Sequence, residues 1–544
     1  MVRGPAVETP YAFKKILARL HQCSNDHASC QDFGPSQLPR RVIDVGDCNA
    51  EPKLLESGGR IARYTALSYI WGMESQPVMT TIENVAQFTV RLPVSSLAQT
   101  IKDAIIVTRN ISVRYLWADS LCIIQDSDTD KDMQISRIPQ IFRSALLTIC
   151  AAHADSCMQG FLLHSHDSYT SLRHYRGFRD LAIPYALSNR LIGTVILQPH
   201  PVTDYAPDDA PISTRAWTME ERLLSQRVLI YADGVIMWQC RAGLFQVPGS
   251  RLPVDMSVHD YKRGNYMILD EELFSPHLSS SSDITPARLE ILMEVWLHIL
   301  TAYSQREISR PEDRLRALGG LASRFQYVLH CHQYVGGLWY SQSEASDAFF
   351  ASQLLWLGCR NDYVGPLAMA DITAPSWSWA SVAGGVTFGT GATSFPSAVP
   401  EYWTGSRVCS VLQCEAPLVS SANLFGAVHD GRLTIRCPCR LASGPRRVTP
   451  ARNAPVYLSP ISRANDERQR SVPAFTMQLD RRPLTEPEQT SLVYARIVEN
   501  RGLLLSPAAD GTFRRVGIFW DWSLDLAESA SFFEASTLRT IPIL

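Results

Sequence analysis

Two hydrophobic periods alternate along the first half of the chain. In residues 9–22, Phe13, Ile16, Leu17 and Leu20 fall at i, i+3, i+4 and i+7 behind a Thr9-Pro10 start. That spacing predicts a helix, with Lys14, Lys15 and Arg19 leaving its other side basic. From residue 61 the period switches back and forth. IARYTALSYIWG reads as a strand ending in a Gly turn. From Leu97, the apolar positions Ile101, Ala104 and Ile105, continued by Thr108, read as a helix. RYLWADSLCII reads as the next strand, residues 128–145 as a helix, and LLTICAAHA as a third strand. A β-α-β-α-β order predicts the α/β class with a largely parallel, helix-covered sheet. Ligands then belong at the carboxyl ends of the strands.

Further along, Thr218 and Glu221 have the spacing of a capping box at a helix start. VLIY and VIMWQC flank Ala232-Asp233-Gly234 and predict a hairpin. Residues 275–286 are rich in Ser and Pro and mark a loop or boundary, and 287–358 are strongly helical. After Pro375 short strand patterns dominate, as in GRLTIRC, SLVYARIV, GLLLSP and RRVGIFW. Trp377 and Trp379 alternate with period two and are expected to pack one face of a strand. The predicted division is an N-terminal helix with a CxxxHxxC segment (1–50), an α/β domain (51–243), a linker region (244–286), a helical region (287–374) and a β-rich region (375–544).

Composition narrows the class. The 544 residues are 46% hydrophobic and 19% charged, with net charge −2, which is ordinary for a globular protein. This balance offers no electrostatic case for nucleic acid or an anionic membrane surface. The N-terminus lacks the apolar core of a signal peptide, and no run approaches the ~18 apolar residues of a spanning helix. The 13 cysteines are scattered, several of them in apolar runs. This usage suits reduced, buried thiols and a cytoplasmic location. No P-loop, GxGxxG, GxSxG or HExxH motif occurs, and Cys437-Pro438-Cys439 has no second pair. Cys23, His27 and Cys30 are spaced i, i+4, i+7, which predicts one helical face and a donor set suited to zinc. Spacing fixes no fourth ligand, though His21 and Cys48 are close in the chain. The alternative is a polar helix face with two half-buried thiols.

Three blocks carry a resemblance to a known family: YTALSYIWG (Tyr64–Gly72), TIKDAIIVTRNISVRYLWADSLCIIQDSD (Thr100–Asp128) and RAWTMEERLLSQRVLIYADGVIMWQC (Arg215–Cys240). In order, spacing and aromatic placement they resemble the fungal heterokaryon incompatibility (HET) domain. LPRRVIDV, DRLRALGGLA, GGLW, APSWSWASVAGGV and RRVGIFW are similar to segments flanking such domains. The family pattern has Trp and Glu where Lys131 and Gln134 stand, Ile at Ala118, Gly at Ala216 and Gln at Glu220. The resemblance implies non-self recognition and cell-death signalling through a protein partner or self-association, and a fold likened to TIR domains, some of which cleave NAD. It also leaves open recruitment to secondary-metabolite biosynthesis, with a small-molecule ligand.

Asp119 stands out because an unpaired carboxylate in so apolar a run costs several kcal/mol. It is either a catalytic group at the sheet rim, or a structural acid held by Arg109, Arg114 or Arg222 or by backbone N–H groups. Glu221 is the second catalytic candidate, since a carboxylate can stabilise positive charge and activate water in glycosidic cleavage of NAD. Its alternative is the capping box. Arg215 and Arg222 can grip phosphates or neutralise the acids. Trp71 and Trp217 can stack on a ring or join the core.

Overall fold

The computed structural model describes residues 10–30, 34–47, 50–73, 76–162, 181–188, 191–197, 210–232, 235–247, 273, 285–341, 344–358, 374–388, 408–420, 423–441, 447–449, 457–459, 475–480, 491–498, 501–521 and 536–544. The chain divides into two compact units, residues 1–271 and 272–544.

In the first unit, α1 (Pro10–Asp26) precedes a short ladder of β1 (Ser36–Gln37) with β4 (Ile61–Ala62). The main sheet is built from β2 (Arg41–Asp44), β3 (Lys53–Glu56), β5 (Tyr64–Ser68), β6 (Tyr115–Trp117) and β7 (Leu147–Cys150). A hairpin of β8 (Leu181–Ser188) and β9 (Leu191–Leu197) stands apart from it. β10 (Arg227–Ala232), β11 (Val235–Cys240) and β12 (Gly243–Val247) complete the main sheet. Among the described residues it has eight strands, in the order β12-β11-β10-β7-β5-β6-β2-β3. The four central strands β6, β5, β7 and β10 run parallel, and antiparallel strands flank them on both sides. The sheet is therefore mixed, with the expected parallel order confined to its centre.

Every residue of β2, β5, β6 and β7 is buried, so protein covers both faces of the centre. That explains why the parallel strands β5, β6 and β7 read as near-continuous apolar runs. Two buried hydroxyls of β5 are satisfied across the layers. Tyr64 donates its hydroxyl proton to the Ile141 carbonyl at 2.6 Å, and Thr65 meets Thr108 at 2.8 Å. Thr108 lies on α3 (Gln99–Asn110), the helix linking β5 to β6.

Two sequence expectations change here. RYLWADSLCII is not one strand, because β6 stops at Trp117 and Asp119–Cys122 form one turn of helix, α4. Asp119 accepts the Ser120 N–H at 2.7 Å, a local bond that competes with extension. The helix predicted over 128–145 is two, α5 (Asp128–Ile135) and α6 (Ile138–Ser144), separated just before Pro139, which lacks an N–H and sits in the first turn of α6.

The second unit starts with the expected helices, Pro286–Ser304, Asp313–Arg316, Gly319–Val328 and Glu344–Gln353, but Gln333–Val335, Leu338–Tyr340 and Trp356–Gly358, inside the stretch read as helical, are strands. Its largest sheet, among the described residues, has seven strands, including Arg432–Leu441, Val493–Val498, Arg501–Pro507 and Phe513–Asp521. Trp377 and Trp379 are fully buried but not on a strand. Ser378 accepts the Ala380 N–H and starts a tight helical turn at Trp379, whose indole donates to the Gly337 carbonyl at 3.1 Å. The predicted loop at 275–286 lies almost wholly outside the described residues.

Candidate functional site

The carboxyl ends of β5 and β6 lie side by side, with Ala66 opposite Trp117. β5 ends at Ser68, a polar residue in a fully buried strand. Its hydroxyl donates to Glu221 Oε2 at 2.5 Å. Glu221 is carried on α7 (Ala216–Leu224). Just beyond β5, Trp71 turns its indole Nε1–H onto both oxygens of Asp119, at 3.3 and 3.1 Å. The Tyr69 hydroxyl bonds Ser120 Oγ at 2.9 Å and receives a hydrogen bond from Gln76 at 3.0 Å. Gln125 reaches back to the Asp119 carbonyl at 3.0 Å, which fixes the α4 turn.

Both acids retain partial solvent access, yet protein surrounds them densely enough for desolvation to dominate their ionisation. Burial raises the Asp119 carboxyl above the ordinary aspartate range, against the opposing pull of Arg215, Tyr69, Ser120 and Trp71. Burial also pushes Glu221 up to about 7, with the negative charge of Asp119 adding to the rise and Ser68 and Arg215 opposing it. Two neighbouring carboxyls of unequal proton affinity are what acid–base work at neutral pH needs.

The remaining candidates divide. Arg215 occupies the N-cap position of α7 without a side-chain capping bond and donates to the Tyr69 carbonyl at 3.4 Å, and its charge acts on both acids. Trp217 is half-buried and packs on the main core of the unit. Arg222 is half-buried, and its Nε finds no hydrogen-bond partner among the described residues. Arg109 is spent on the Val45 and Ala50 carbonyls, and Arg114 forks onto Asp44 at 3.0 and 2.9 Å. The capping box does not form. Thr218 lies inside α7 and donates to the Ile212 and Arg215 carbonyls, which leaves Glu221 free to face Ser68. Lys131 pairs with Asp128 at 3.0 Å, while its neighbour Asp130 holds the buried Arg41 and the Ile124 N–H.

Ser68, Tyr69 and Gln76 were not singled out by sequence reasoning. Ser68 had a signal, a hydroxyl closing a fully buried strand. The others follow only from how the chain turns after β5 and β6.

At the opposite edge of the sheet, Cys23, His27 and Cys30 do come together, though not on one helix face. α1 ends at Asp26, His27 follows it, and Cys30 sits in a separate 3₁₀ turn. Cys240, the last residue of β11, joins them, and the four ligand atoms lie within 4.8 Å of one another. His21 has no place in this group, and Cys48 lies outside the described residues.

Residues 64–221 match the family model described as heterokaryon incompatibility protein (HET). The chain therefore carries a HET domain, running from the first residue of β5 to Glu221 itself. No curated protein and no solved structure matches the chain. Among the described residues no helix is long and apolar enough to cross a membrane.

Proposed function

We propose that this HET-domain protein acts in non-self recognition and cell-death signalling, and that its effector step hydrolyses the N-glycosidic bond of NAD or a closely related dinucleotide. The supporting observation is the pairing of Asp119 with Glu221 at the carboxyl ends of parallel strands, the place where α/β sheets accept ligands. Cleavage releases nicotinamide as a neutral base that leaves with the bonding electron pair. The positive charge left on the ribose is stabilised by Asp119 in its ionised form, which Trp71, the Ser120 N–H and Arg215 favour against the opposing effect of burial. Water adds to the ribose carbon and gives its proton to Glu221, poised near neutrality. The products are nicotinamide, ADP-ribose and a proton. Arg215 is also placed to meet a phosphate. This reading agrees with the TIR-like behaviour that the family resemblance implies.

The test is chromatographic detection of nicotinamide and ADP-ribose after incubating the purified full chain with NAD. Turnover that disappears in Glu221→Gln and in Asp119→Asn, with circular dichroism unchanged, supports the proposal. Absence of turnover of NAD and NADP by the native protein, or activity that survives both substitutions, overturns it.

A further inference from the structure

Three buried cysteines and a histidine from distant parts of the chain point their donor atoms at one place, away from the carboxylate site. Cys23 lies in the last turn of α1, His27 and Cys30 follow the helix, and Cys240 comes from β11. We propose that Cys23, His27, Cys30 and Cys240 form a tetrahedral S₃N zinc site that pins the N-terminal segment to the β10–β12 edge of the sheet.

The geometry agrees with the chemistry. Ligands at ~2.3 Å (sulfur) and ~2.0–2.1 Å (nitrogen) under tetrahedral angles lie about 3.5 Å apart. Cys240 Sγ and His27 Nδ1 are 3.5 Å apart. The widest separation, within 4.8 Å, closes onto one ion by a shift of up to about 0.5 Å in each of the two atoms. All three cysteines are free thiols, and an odd number cannot pair off as disulfides.

The surroundings supply what a thiolate-rich site needs. The Ala242 backbone N–H points at the Cys30 sulfur. Arg227 is 1% exposed, and among the described residues no carboxylate pairs with it. A buried guanidinium needs a counter-charge. Zn²⁺ with three thiolates and a neutral imidazole carries a net charge of −1, and Arg227 lies beside it, donating to the Cys30 carbonyl at 2.5 Å and acting on Cys23 through its field. His27 stacks on Phe245 of β12 at 5.8 Å, and Arg19 of α1 covers the same ring at 4.5 Å. With four protein ligands the site has no open position, so the metal is structural rather than catalytic.

Elemental analysis of the full chain, purified without chelator, should find about one zinc per chain. Cys240→Ser should lose it, and Cys331→Ser, at an exposed thiol outside the cluster, should keep it. Should Cys240→Ser fail to fold, X-ray absorption on the native protein decides, with three sulfurs and one nitrogen at the distances above as the expected shell. Native protein that contains no zinc even after growth in zinc-supplemented medium overturns the proposal. So does an oxygen-dominated shell, or a Cys23–Cys240 or Cys30–Cys240 disulfide found by mass spectrometry.

Discussion

Replacing Glu221 by Gln should remove activity and raise stability at alkaline pH. Gln keeps the shape of the protonated acid, and its carbonyl still accepts the Ser68 hydroxyl. The carboxyl titrates ordinarily at 4.5 and in the folded protein near 7. The folded state therefore binds this proton more tightly than the unfolded chain does. Its contribution to stability is greatest below about pH 4.5, falls between 4.5 and 7, and stays low above. At about 1.4 kcal/mol per pH unit across that interval, the native protein gives up roughly 3 kcal/mol by pH 8. Glu221→Gln is spared that loss. Its melting transition should lie roughly 5–10 °C above native at pH 8 and close to native at pH 4.5. Thermal melts of both proteins at the two pH values measure this, alongside NAD turnover. A variant that melts below the native protein at pH 8, or an offset that is the same at both pH values, refutes the claim that this carboxylate is held against its own desolvation.

Trp71→Phe removes the single Nε1–H that both Asp119 oxygens share, so the Asp119 carboxyl should rise further and the acid limb of the NAD-turnover profile should move to higher pH, with about 1 kcal/mol lost in stability. Arg41→Met takes the buried cation from Asp130, leaving only the half-exposed Arg40 at 3.5 Å, and should cost roughly 3 kcal/mol in urea unfolding, much of it recovered in the double variant with Asp130→Asn. Gly72→Ala should cost roughly 2–4 kcal/mol by the same assay, because φ is +88° there and an added Cβ would lie 2.7 Å from Ser156 Cβ. A near-native melt for Gly72→Ala would mean that the turn after β5 can relax.

The apolar runs at Tyr64–Ser68 and Leu147–Cys150, and the helical period from Ile101 to Thr108, are local patterns, so the α/β class and the domain's central strands were legible without a structure. So was the anomaly at Asp119, because a carboxylate among apolar neighbours demands an explanation wherever the chain goes. The partners were not legible. Glu221 has the spacing of a capping box, yet α7 starts earlier and turns it toward Ser68, 153 positions away in the chain. Four arginines lay in the right blocks, and only the packing of α7 against β5 selects Arg215 over those already occupied by backbone carbonyls or Asp44. Cys240 stands 213 positions from His27 and meets it because β11 pairs antiparallel with β10 at the sheet edge where α1 docks. Periodicity encodes which face of a segment is buried. Only tertiary packing decides which distant side chains share a recess, because that depends on strand order and helix placement, which no local pattern carries.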